Sequence, residues 1–332
     1  MGDRSKQARR SLILIAAVAG AAAWGAVSAA GGSSTTASKH GPHCPLTRRA
    51  ASCWDTGTGV PGYAEAQILA GHSTLRHVRG NVTVRRAGAV IANRWIDGCV
   101  AVDADNVTIE DSLIHTQHTC KGGNRTTAPS AINDGGNGNG AVTGLVIKDT
   151  EVDGINIGGD SFGVSGVNFT CTGCNVHGFA KNIAAGYRVL IMNSYSHDLS
   201  TNDQCNHASD IYADSGLYIT VEHSYLQASG TSDNCITAAF MNGGSYGPPA
   251  HVRIDRSFLE GYAGADMQEG CGSTYVVVTG NAFSDNNGYG GTDYVYGFDR
   301  QDTGNVWSGN YVPERSHRPA PPPRGDPGTG GC

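Results

Sequence analysis

The sequence predicts an all-β fold: a right-handed parallel β-helix with an N-terminal cap and a disordered C-terminal tail. Composition is the first observation behind this prediction, because 48 glycines among 332 residues, with few helix formers, favour short strands and many turns. The second and third observations are a recurring phrase of alternating apolar residues and a shorter phrase that lies between its copies.

The first phrase recurs seven times and carries a small residue, the anchor, just after its apolar part. It reads "VTIEDSLI" from Val107, "ITVEHSYL" from Ile219 and "VRIDRSFL" from Val252. Successive anchors are 20 to 38 residues apart, so one repeat corresponds to one coil with loops of variable length. The anchors are Ser112, Thr150, Cys174, Ser194, Ser224, Ser257 and Asn281.

The second phrase, such as "SAIN" at Ser130 and "DIYA" at Asp210, adds a further strand to each coil. A two-layer sandwich also has many short strands, but only stacked coils require the same phrase in the same phase each time. We therefore expect a β-helix domain over residues 40–314, whose first part, residues 40–96, forms the cap and the first coils. The predicted ladder of inward residues is Ile132, Ile155, Ile183, Ile211, Ile236 and Met267.

The N-terminal segment has the features of a secretory signal peptide over residues 1–29. Basic residues are followed by an apolar run, residues 12–27, and Val27-Ser28-Ala29 offers a small-residue cleavage site. Arg9-Arg10 could instead belong to a twin-arginine signal, and an uncleaved anchor is a further alternative, although the run is short for a membrane span. A Ser/Thr/Gly linker, residues 30–39, follows the signal, and residues 315–332 form a Pro/Gly-rich tail predicted to be disordered.

Removal of the signal makes the chain more acidic. It takes away four of the 23 basic residues and one of the 29 acidic ones, which leaves a net charge of −9. An acidic exported protein is a poor candidate for non-specific nucleic-acid binding, or for membrane binding once the signal is cleaved. We expect a secreted, extracellular monomer.

Ten cysteines in an exported chain predict disulfides. Cys44 and Cys53 form the expected local pair. Cys205 and Cys235 each lie eleven residues past their anchors on neighbouring coils, so we predict that they bridge. The Cys171-Thr-Gly-Cys174 motif could bind a metal, but a single CxxC without a second pair favours a disulfide or buried structural cysteines.

The passage "VTVRRAGAVIANRWIDGCVAVDADNVTIEDSLI" from Val82, with "CWDTGTGVPG" at Cys53, resembles secreted bacterial right-handed β-helix proteins of the pectate lyase-like superfamily. The resemblance covers about residues 53–312 and concerns the fold far more than the reaction. It implies a carbohydrate-active protein, and that superfamily includes polysaccharide lyases, glycoside hydrolases, epimerases and proteins without known activity. We expect a lyase that acts by β-elimination on an acidic, uronate-containing polysaccharide.

Polar residues three positions past the anchors form a nearly unbroken column when the coils are aligned. A turn would begin at this position, and solvated polar side chains are the simpler explanation. The alternative is that His177 and His197, on adjacent coils, are an acid/base or metal pair. The column consists of His115, Asp153, His177, His197, Gln227, Glu260 and Ser284.

The second phrase carries the predicted substrate site, because polar residues flank its inward residues and would project along one groove. The pattern His-x-x-Asp-Ile-Tyr at His207 resembles a His-x-Asp-Gly-Ile-Gln phrase of the superfamily, and it suggests His207 and Asp210 as an acid/base pair. A contact between them that merely holds the loop is the alternative. The catalytic candidates are Lys181, His207 and Asp210, and the substrate-binding candidates are Asn156, Arg188, Tyr212 and Gln268.

The resemblance also implies calcium, since β-helix lyases hold this ion between carboxylates of neighbouring coils. Asp210 and Asp266 could supply oxygen ligands, and Lys181 or Arg188 could remove the proton next to the uronate carboxyl. An intervening coil separates the two aspartates, which weakens this assignment. A glycoside hydrolase and a noncatalytic protein that binds glycan or a cell surface remain the alternatives.

Overall fold

The protein, represented by a computed structural model, is a right-handed parallel β-helix with three strands in each coil. Strands are numbered β1 to β29 along the chain. The same strand position in successive coils builds one sheet, so sheets A, B and C contain 11, 9 and 9 strands. The structure describes residues 44–117, 130–134, 142–155, 157, 161–200, 207–213, 216–230, 236–242, 248–262, 265–270, 272–286, 295–296, 298, 302–315 and 318–320.

All strand pairs are parallel except the last pair of sheet A. Sheet A contains β1 (Arg76–Arg79), β4 (Arg94–Asp97), β7 (Leu113–Thr116), β10 (Glu151–Gly154), β13 (Asn175–His177), β16 (Tyr195–His197), β19 (Tyr225–Gln227), β22 (Phe258–Glu260), β25 (Ala282–Phe283), β28 (Tyr311–Val312) and β29 (Arg318–Pro319). Sheet B contains β2 (Val82–Val84), β5 (Val100–Val102), β8 (Ser130–Asn133), β11 (Phe162–Gly166), β14 (Lys181–Ala185), β17 (Ala208–Tyr212), β20 (Ile236–Met241), β23 (Ala265–Gln268) and β26 (Val295–Tyr296). Sheet C contains β3 (Val90–Ala92), β6 (Thr108–Glu110), β9 (Leu145–Lys148), β12 (Phe169–Thr172), β15 (Tyr187–Met192), β18 (Leu217–Glu222), β21 (Arg253–Asp255), β24 (Val277–Thr279) and β27 (Val306–Ser308).

Helical structure is confined to short segments near the two ends of the described chain. A 3-10 turn (Arg48–Ala50) leads into α1 (Ala51–Gly57), and α2 (Glu65–Leu69) follows. Another 3-10 turn (Pro313–Arg315) comes after β28. Within the described ranges, none of these helices has the length and apolar character that a membrane crossing needs.

The anchors of the first phrase lie at the corner between sheets C and A, and this corner has two residues in eight coils. The first residue of each corner has positive φ, for example His223 at 44° and Arg256 at 45°, which turns the chain sharply. The second residue is the anchor, and its side chain points inward. Ser224 Oγ, for instance, accepts a hydrogen bond from the backbone N–H of Ser194 at 3.2 Å and donates to the carbonyl of Glu222 at 3.0 Å. The anchors thus form a buried polar ladder that satisfies backbone groups of the corners.

The inward ladder predicted for sheet B is confirmed at Ile132, Ile183, Ile211 and Met267, which lie in one register row and belong to the core. The prediction was wrong in two coils. Val164, not Ile155, pairs with Ile132 and Ile183, because the strand of that coil begins later, at Phe162. Phe240, not Ile236, pairs with Ile211, because β20 begins at Ile236, which lies opposite Ala208 at the start of β17.

The N-terminal part was expected to cap the solenoid, but residues 44–71 instead run along the outer face of sheet A; we call this segment the strap. Arg48 Nε lies 2.9 Å from the carboxylate of Glu260 in β22, and the backbone N–H of Gly59 donates to the carbonyl of Gly173 at 2.9 Å. Gly59 has φ +75°, and an added Cβ would lie 3.3 Å from the Cβ of Glu151. A glycine here lets the strap backbone lie directly on the sheet.

A separate apolar cluster fastens the strap to sheet A. Trp54 is fully buried, and its ring centre lies 6.4 Å from that of Tyr225 and 5.3 Å from that of His223. Its indole N–H donates to the carbonyl of Pro45 at 3.2 Å. The cluster comprises Cys44, Ala50, Trp54, Tyr195, Tyr225, Phe258 and Ala282.

The predicted disulfide between Cys44 and Cys53 is confirmed, and it closes the start of the strap. Cys171 and Cys174 also form a disulfide, which agrees with the structural interpretation of this CxxC motif. The bridge predicted between Cys205 and Cys235 lies outside the described residues, as do the signal segment and the linker.

The tail departs from the prediction of disorder in its described part. Arg318 pairs with Val312 and Pro319 with Tyr311 in the antiparallel pair of sheet A. The carbonyl of Ala320 accepts a hydrogen bond from the indole of Trp307 at 3.3 Å. Three tail residues therefore complete the last coil, where a proline is tolerated on an edge strand. Residues 321–332 lie outside the described part.

Candidate functional site

The three faces of the solenoid differ in the connections that border them. The corners between sheets C and A have two residues, whereas the connections before and after the strands of sheet B reach many more. Residues 117–129 lead into β8, and residues 198–207 lead into β17. Because variable connections on a rigid scaffold commonly carry binding and catalysis, the outer face of sheet B is one candidate site. The face of sheet A beneath the strap is the other.

Three predicted residues come together on sheet B. Tyr212, Met241 and Gln268 occupy one register row of β17, β20 and β23, and the side chains of Tyr212 and Gln268 are half-buried. The Lys181 ammonium lies 5.0 Å from the ring centre of Tyr212 and 5.3 Å from that of Phe162, so it makes cation–π contacts with both rings. An amine, a phenol and an amide thus share one face.

His207 lies at the entry to β17 and is exposed, with its Nδ1 3.2 Å from the Thr237 hydroxyl. It has positive φ, 52°, so the chain turns sharply where the strand begins. The predicted pair of His207 with Asp210 does not form, because Asp210 is buried and bonds elsewhere. His207 therefore borders the face of sheet B without an acid partner from that strand.

Asp210 and Asp266 were expected to project outward, but both are fully buried inside the solenoid. Asp210 Oδ1 accepts hydrogen bonds from the Ser196 hydroxyl at 2.8 Å and the Asn182 amide at 3.3 Å. The register places Ala239 between the two aspartates, because Phe240 pairs with both Ile211 and Met267. Interior carboxylates in non-adjacent coils do not fit a shared calcium ion open to substrate.

Burial raises the pKa of Asp210 and that of Asp266 well above the usual range, although hydrogen bonds to each carboxylate oppose the shift. Burial also raises the pKa of Glu269, the residue after β23, well above its usual range. These interior carboxyls are therefore neutral over a wide pH range. Neutral acids inside a solenoid fit a packing role, and we correct the catalytic and metal assignments of Asp210 and Asp266 accordingly.

The remaining predicted residues do not join the face of sheet B. Arg188 is exposed on β15 of sheet C, where its guanidinium carbon lies 5.0 Å from the ring centre of Tyr187. Asn156 lies outside the described residues. The sequence pattern could not separate Arg188 from the site, since alternation alone does not say which of three sheets a strand joins.

The polar column of sheet A is real, but it lies within strands and not at turns. Asp153 of β10 pairs in register with His115 on one side and His177 on the other, and His177 pairs with His197. His115 Nδ1 lies 2.6 Å from Asp153 Oδ2, and His177 Nδ1 lies 3.3 Å from Asp153 Oδ1. The rings of His177 and His197 are stacked with centres 4.7 Å apart. The interpretation as solvated turn residues was therefore wrong for this part of the column.

Two further carboxylates complete this cluster. Glu151, two residues before Asp153, lies 3.3 Å from His177 Nε2. Glu65 comes from α2 of the strap, and its carboxylate lies 3.5 Å from His115 Nδ1. Side-chain exposure is 26% for Glu65 and between 7% and 13% for the other members. We call Glu65, His115, Glu151, Asp153 and His177 the acidic–histidine cluster.

Electrostatics within the cluster favour protonated imidazoles next to an ionised Asp153, whereas burial is the largest effect on Glu151 and raises its pKa. Burial opposes the charge on His115, but its hydrogen bonds to Asp153 and Glu65 outweigh this and raise its pKa to about 9. His177 is raised to a pKa of about 9 in the same way, by Glu151 and Asp153 against the effect of burial. Burial likewise opposes ionisation of Asp153, yet its bond to His115 and the charge of His177 lower its pKa.

His197 behaves in the opposite way. Burial is the largest effect, and with repulsion from His177 it lowers the pKa of His197 despite the 2.9 Å contact of its Nδ1 with Asp198. Its Nε2 lies 3.0 Å from the side-chain oxygen of Asn175. His197 is thus a neutral ring at neutral pH, held between a carboxylate and an amide.

The sequence indicated part of this cluster and missed the rest. The column position found His115, Asp153 and His177. Glu151 lies one position past its anchor, where strand alternation directs the side chain to the same outer face, so its signal was present but unused. Glu65 had no usable signal, because nothing in a short helix outside the repeat tells where it packs.

Comparison with known proteins leaves the family open. No family model and no curated protein matches the chain. A solved structure of QnrB1, described as a plasmid-mediated fluoroquinolone resistance protein, is similar over 70% of this chain and 92% of that one, at 12% identity and a TM-score of 0.24. A likeness at this level carries no argument about this chain, so its function is argued below from its own residues.

Proposed function

We propose that this protein is a secreted, pectate lyase-like enzyme that cleaves an acidic, uronate-containing polysaccharide by β-elimination on the outer face of sheet B. The observation that carries the proposal is the Lys181 ammonium against the ring of Tyr212, on the face that the chain's long connections border. The rest of the solenoid offers less room for a polymer. The strap lies on the outer face of sheet A, and the corners between sheets C and A have only two residues.

The residues of this face suit an anionic sugar polymer. A protein whose net charge is negative repels a polyanion unless cations are concentrated at the binding site, and Lys181 supplies one. The ring of Tyr212 offers a flat apolar surface, and the Gln268 amide can donate to and accept from sugar hydroxyls. Because neighbouring coils are about 4.8 Å apart, these side chains on β14, β17 and β23 follow the solenoid axis, which suits a linear polymer.

The reaction requires a base and an acid on this face. In our proposal Lys181 is the base that takes the proton from the carbon next to the uronate carboxyl. The electron pair forms the carbon–carbon double bond as the glycosidic carbon–oxygen bond breaks, and the Tyr212 hydroxyl protonates the leaving oxygen. No step is assigned to calcium, because Asp210 and Asp266 do not fit a shared site.

Binding without cleavage is the second candidate. It is favoured by the burial of Lys181, which is 5% exposed and lies against the rings of Phe162 and Tyr212. An amine held in this way is well placed to bind a carboxylate but has little room to approach a carbon–hydrogen bond. Glycan binding would then use the same face.

The test is to incubate the exported protein with uronate and neutral polysaccharides, in calcium and in chelator, while following unsaturated products by ultraviolet absorbance alongside new reducing ends. We expect the unaltered protein to raise the absorbance on a uronate polymer. The rate of this rise should be at least about 100-fold lower in K181Q and in Y212F. Arg188→Gln, a cation on sheet C, is the matched control and should keep full activity. New reducing ends without a rise in absorbance would indicate a hydrolase. If no products form, but the protein binds the polysaccharide and K181Q does not, the noncatalytic function is indicated.

A further inference from the structure

Five ionisable side chains from four elements meet in the acidic–histidine cluster, where α2 of the strap lies over β7, β10 and β13 of sheet A. The five are not spread along the surface: the ligand atoms of Glu65, His115 and Asp153 all lie within 4.8 Å of one another, and so do those of Glu65, Glu151 and His177. Glu65 belongs to both sets, so the single residue that the strap contributes lies at their centre.

The cluster contains more carboxyl groups than imidazoles. Three carboxylates face two imidazoles, and four of the five side chains are at most 13% exposed. Grouping carboxyl groups where water has little access is costly unless each is paired, so their excess over the imidazoles favours a bound cation. Arg48 and Lys148, basic side chains of neighbouring segments, are engaged elsewhere, with Glu260 and Asp149.

We propose that Glu65, His115 and Asp153 bind one divalent transition-metal ion, and that this ion fastens the strap to sheet A. Ligands held at about 2.0–2.2 Å from a tetrahedral ion place their atoms about 3.3–3.6 Å apart. The separation of 3.5 Å from His115 Nδ1 to Glu65 Oε1 lies in that range, whereas the 2.6 Å from His115 Nδ1 to Asp153 Oδ2 has to widen by less than about 1 Å. Small side-chain movements, with release of the proton between His115 Nδ1 and Asp153, are enough to admit the ion.

The neighbouring pair would serve as the outer layer of the site. His177 Nδ1 lies 3.3 Å from Asp153 Oδ1, the oxygen that does not face His115, and Glu151 lies against the other nitrogen of the same ring. Such a chain of carboxylate, imidazole and carboxylate orients the ligating Asp153. The geometry therefore contains both a ligand set and the groups that hold it in place.

The ligand chemistry favours zinc and related ions over calcium. Calcium takes six to eight oxygen ligands, whereas one imidazole with two carboxylates suits zinc, manganese or iron. The site is also separate from the proposed polysaccharide surface, since it lies on sheet A and Lys181 lies on sheet B. Failure of one proposal leaves the other intact.

The test is calorimetric titration of zinc into the chelator-treated full-length protein, followed by calcium, with cobalt absorption in the visible range as a reporter of the ligand set. We expect one equivalent of zinc to bind more tightly than calcium, and affinity to fall at least about tenfold in H115Q and E65Q. His72→Gln, at an exposed histidine just after the strap, is the matched control and should bind as the unaltered protein does.

A second readout concerns the strap itself. Zinc should slow proteolytic cleavage within residues 44–71 in the unaltered protein but not in E65Q, whose substitution lies in the strap and leaves the coils complete. Equal zinc affinity in the unaltered protein, H115Q and E65Q would overturn the proposal, as would tighter binding of calcium. Absence of any zinc binding to the folded protein would also overturn it.

Discussion

At the residue scale, the buried anchors show how a single atom can serve two coils. Ser224 Oγ accepts from the backbone of Ser194, and the backbone N–H of Ser224 in turn donates to Ser257 Oγ at 3.1 Å. The sequence predicted the stacked anchors because their small size and phase were visible in the repeat. Their hydrogen-bonding role was not visible, since it depends on the positive φ of the preceding corner residue.

Ser224→Ala should therefore destabilise the protein by about 1–3 kcal/mol, because it leaves a buried N–H of Ser194 without an acceptor. Chemical unfolding monitored by circular dichroism measures the change. Thr220→Ala, on the outward face of β18, is the control and should change stability by less than about 0.5 kcal/mol. A Ser224 variant as stable as the Thr220 variant would show that the ladder bonds contribute nothing.

At the element scale, the strap is the part that sequence reasoning placed wrongly. Its residues lack the period of the coils, so the pattern showed only that they precede the first repeat. Its position follows from side chains that the pattern does not weigh: Trp54 fills an apolar gap beside Tyr225, and Arg48 neutralises the buried Glu260. The repeat predicted sheets A, B and C well, whereas tertiary packing alone decides where a short helix lies.

Trp54→Ala should release the strap and cost about 3–5 kcal/mol, the usual range for a large aromatic residue removed from a core. Limited proteolysis should then cut the strap while the coils persist, as followed by mass spectrometry of the fragments. Thr56→Ala changes an exposed neighbour in the same helix and should leave the cleavage rate unchanged. If both variants are cut at the same slow rate, the apolar cluster does not fasten the strap.

At the scale of the whole molecule, several coils contain acids that are buried and neutral. Asp210, Asp266 and Glu269 have pKa values raised by burial, so between their unfolded and folded pKa values the folded state binds more protons than the unfolded state. Stability contributed by these groups is present below about pH 4 and is lost as pH rises through their folded pKa values.

A protein carrying Asp210→Asn and Asp266→Asn should consequently gain stability relative to the unaltered protein as pH increases from about 5 to about 8. The measurement is the difference in unfolding free energy between the two proteins at each pH, which cancels the contributions of all other titrating groups. Asp103→Asn, at an exposed position, serves as the control with a flat difference. A flat difference for the double variant would mean that the two interior carboxyls are ionised.

The route of the strap also constrains the order in which the chain folds. Coils of a solenoid form between neighbours in sequence, so each can assemble as soon as its residues are available. Arg48 and Glu260, by contrast, are separated by about 200 residues, and their contact must wait for most of the solenoid. The segment that is synthesised early therefore docks late, and until it does so the aromatic rings of Tyr225 and Phe258 face the solvent.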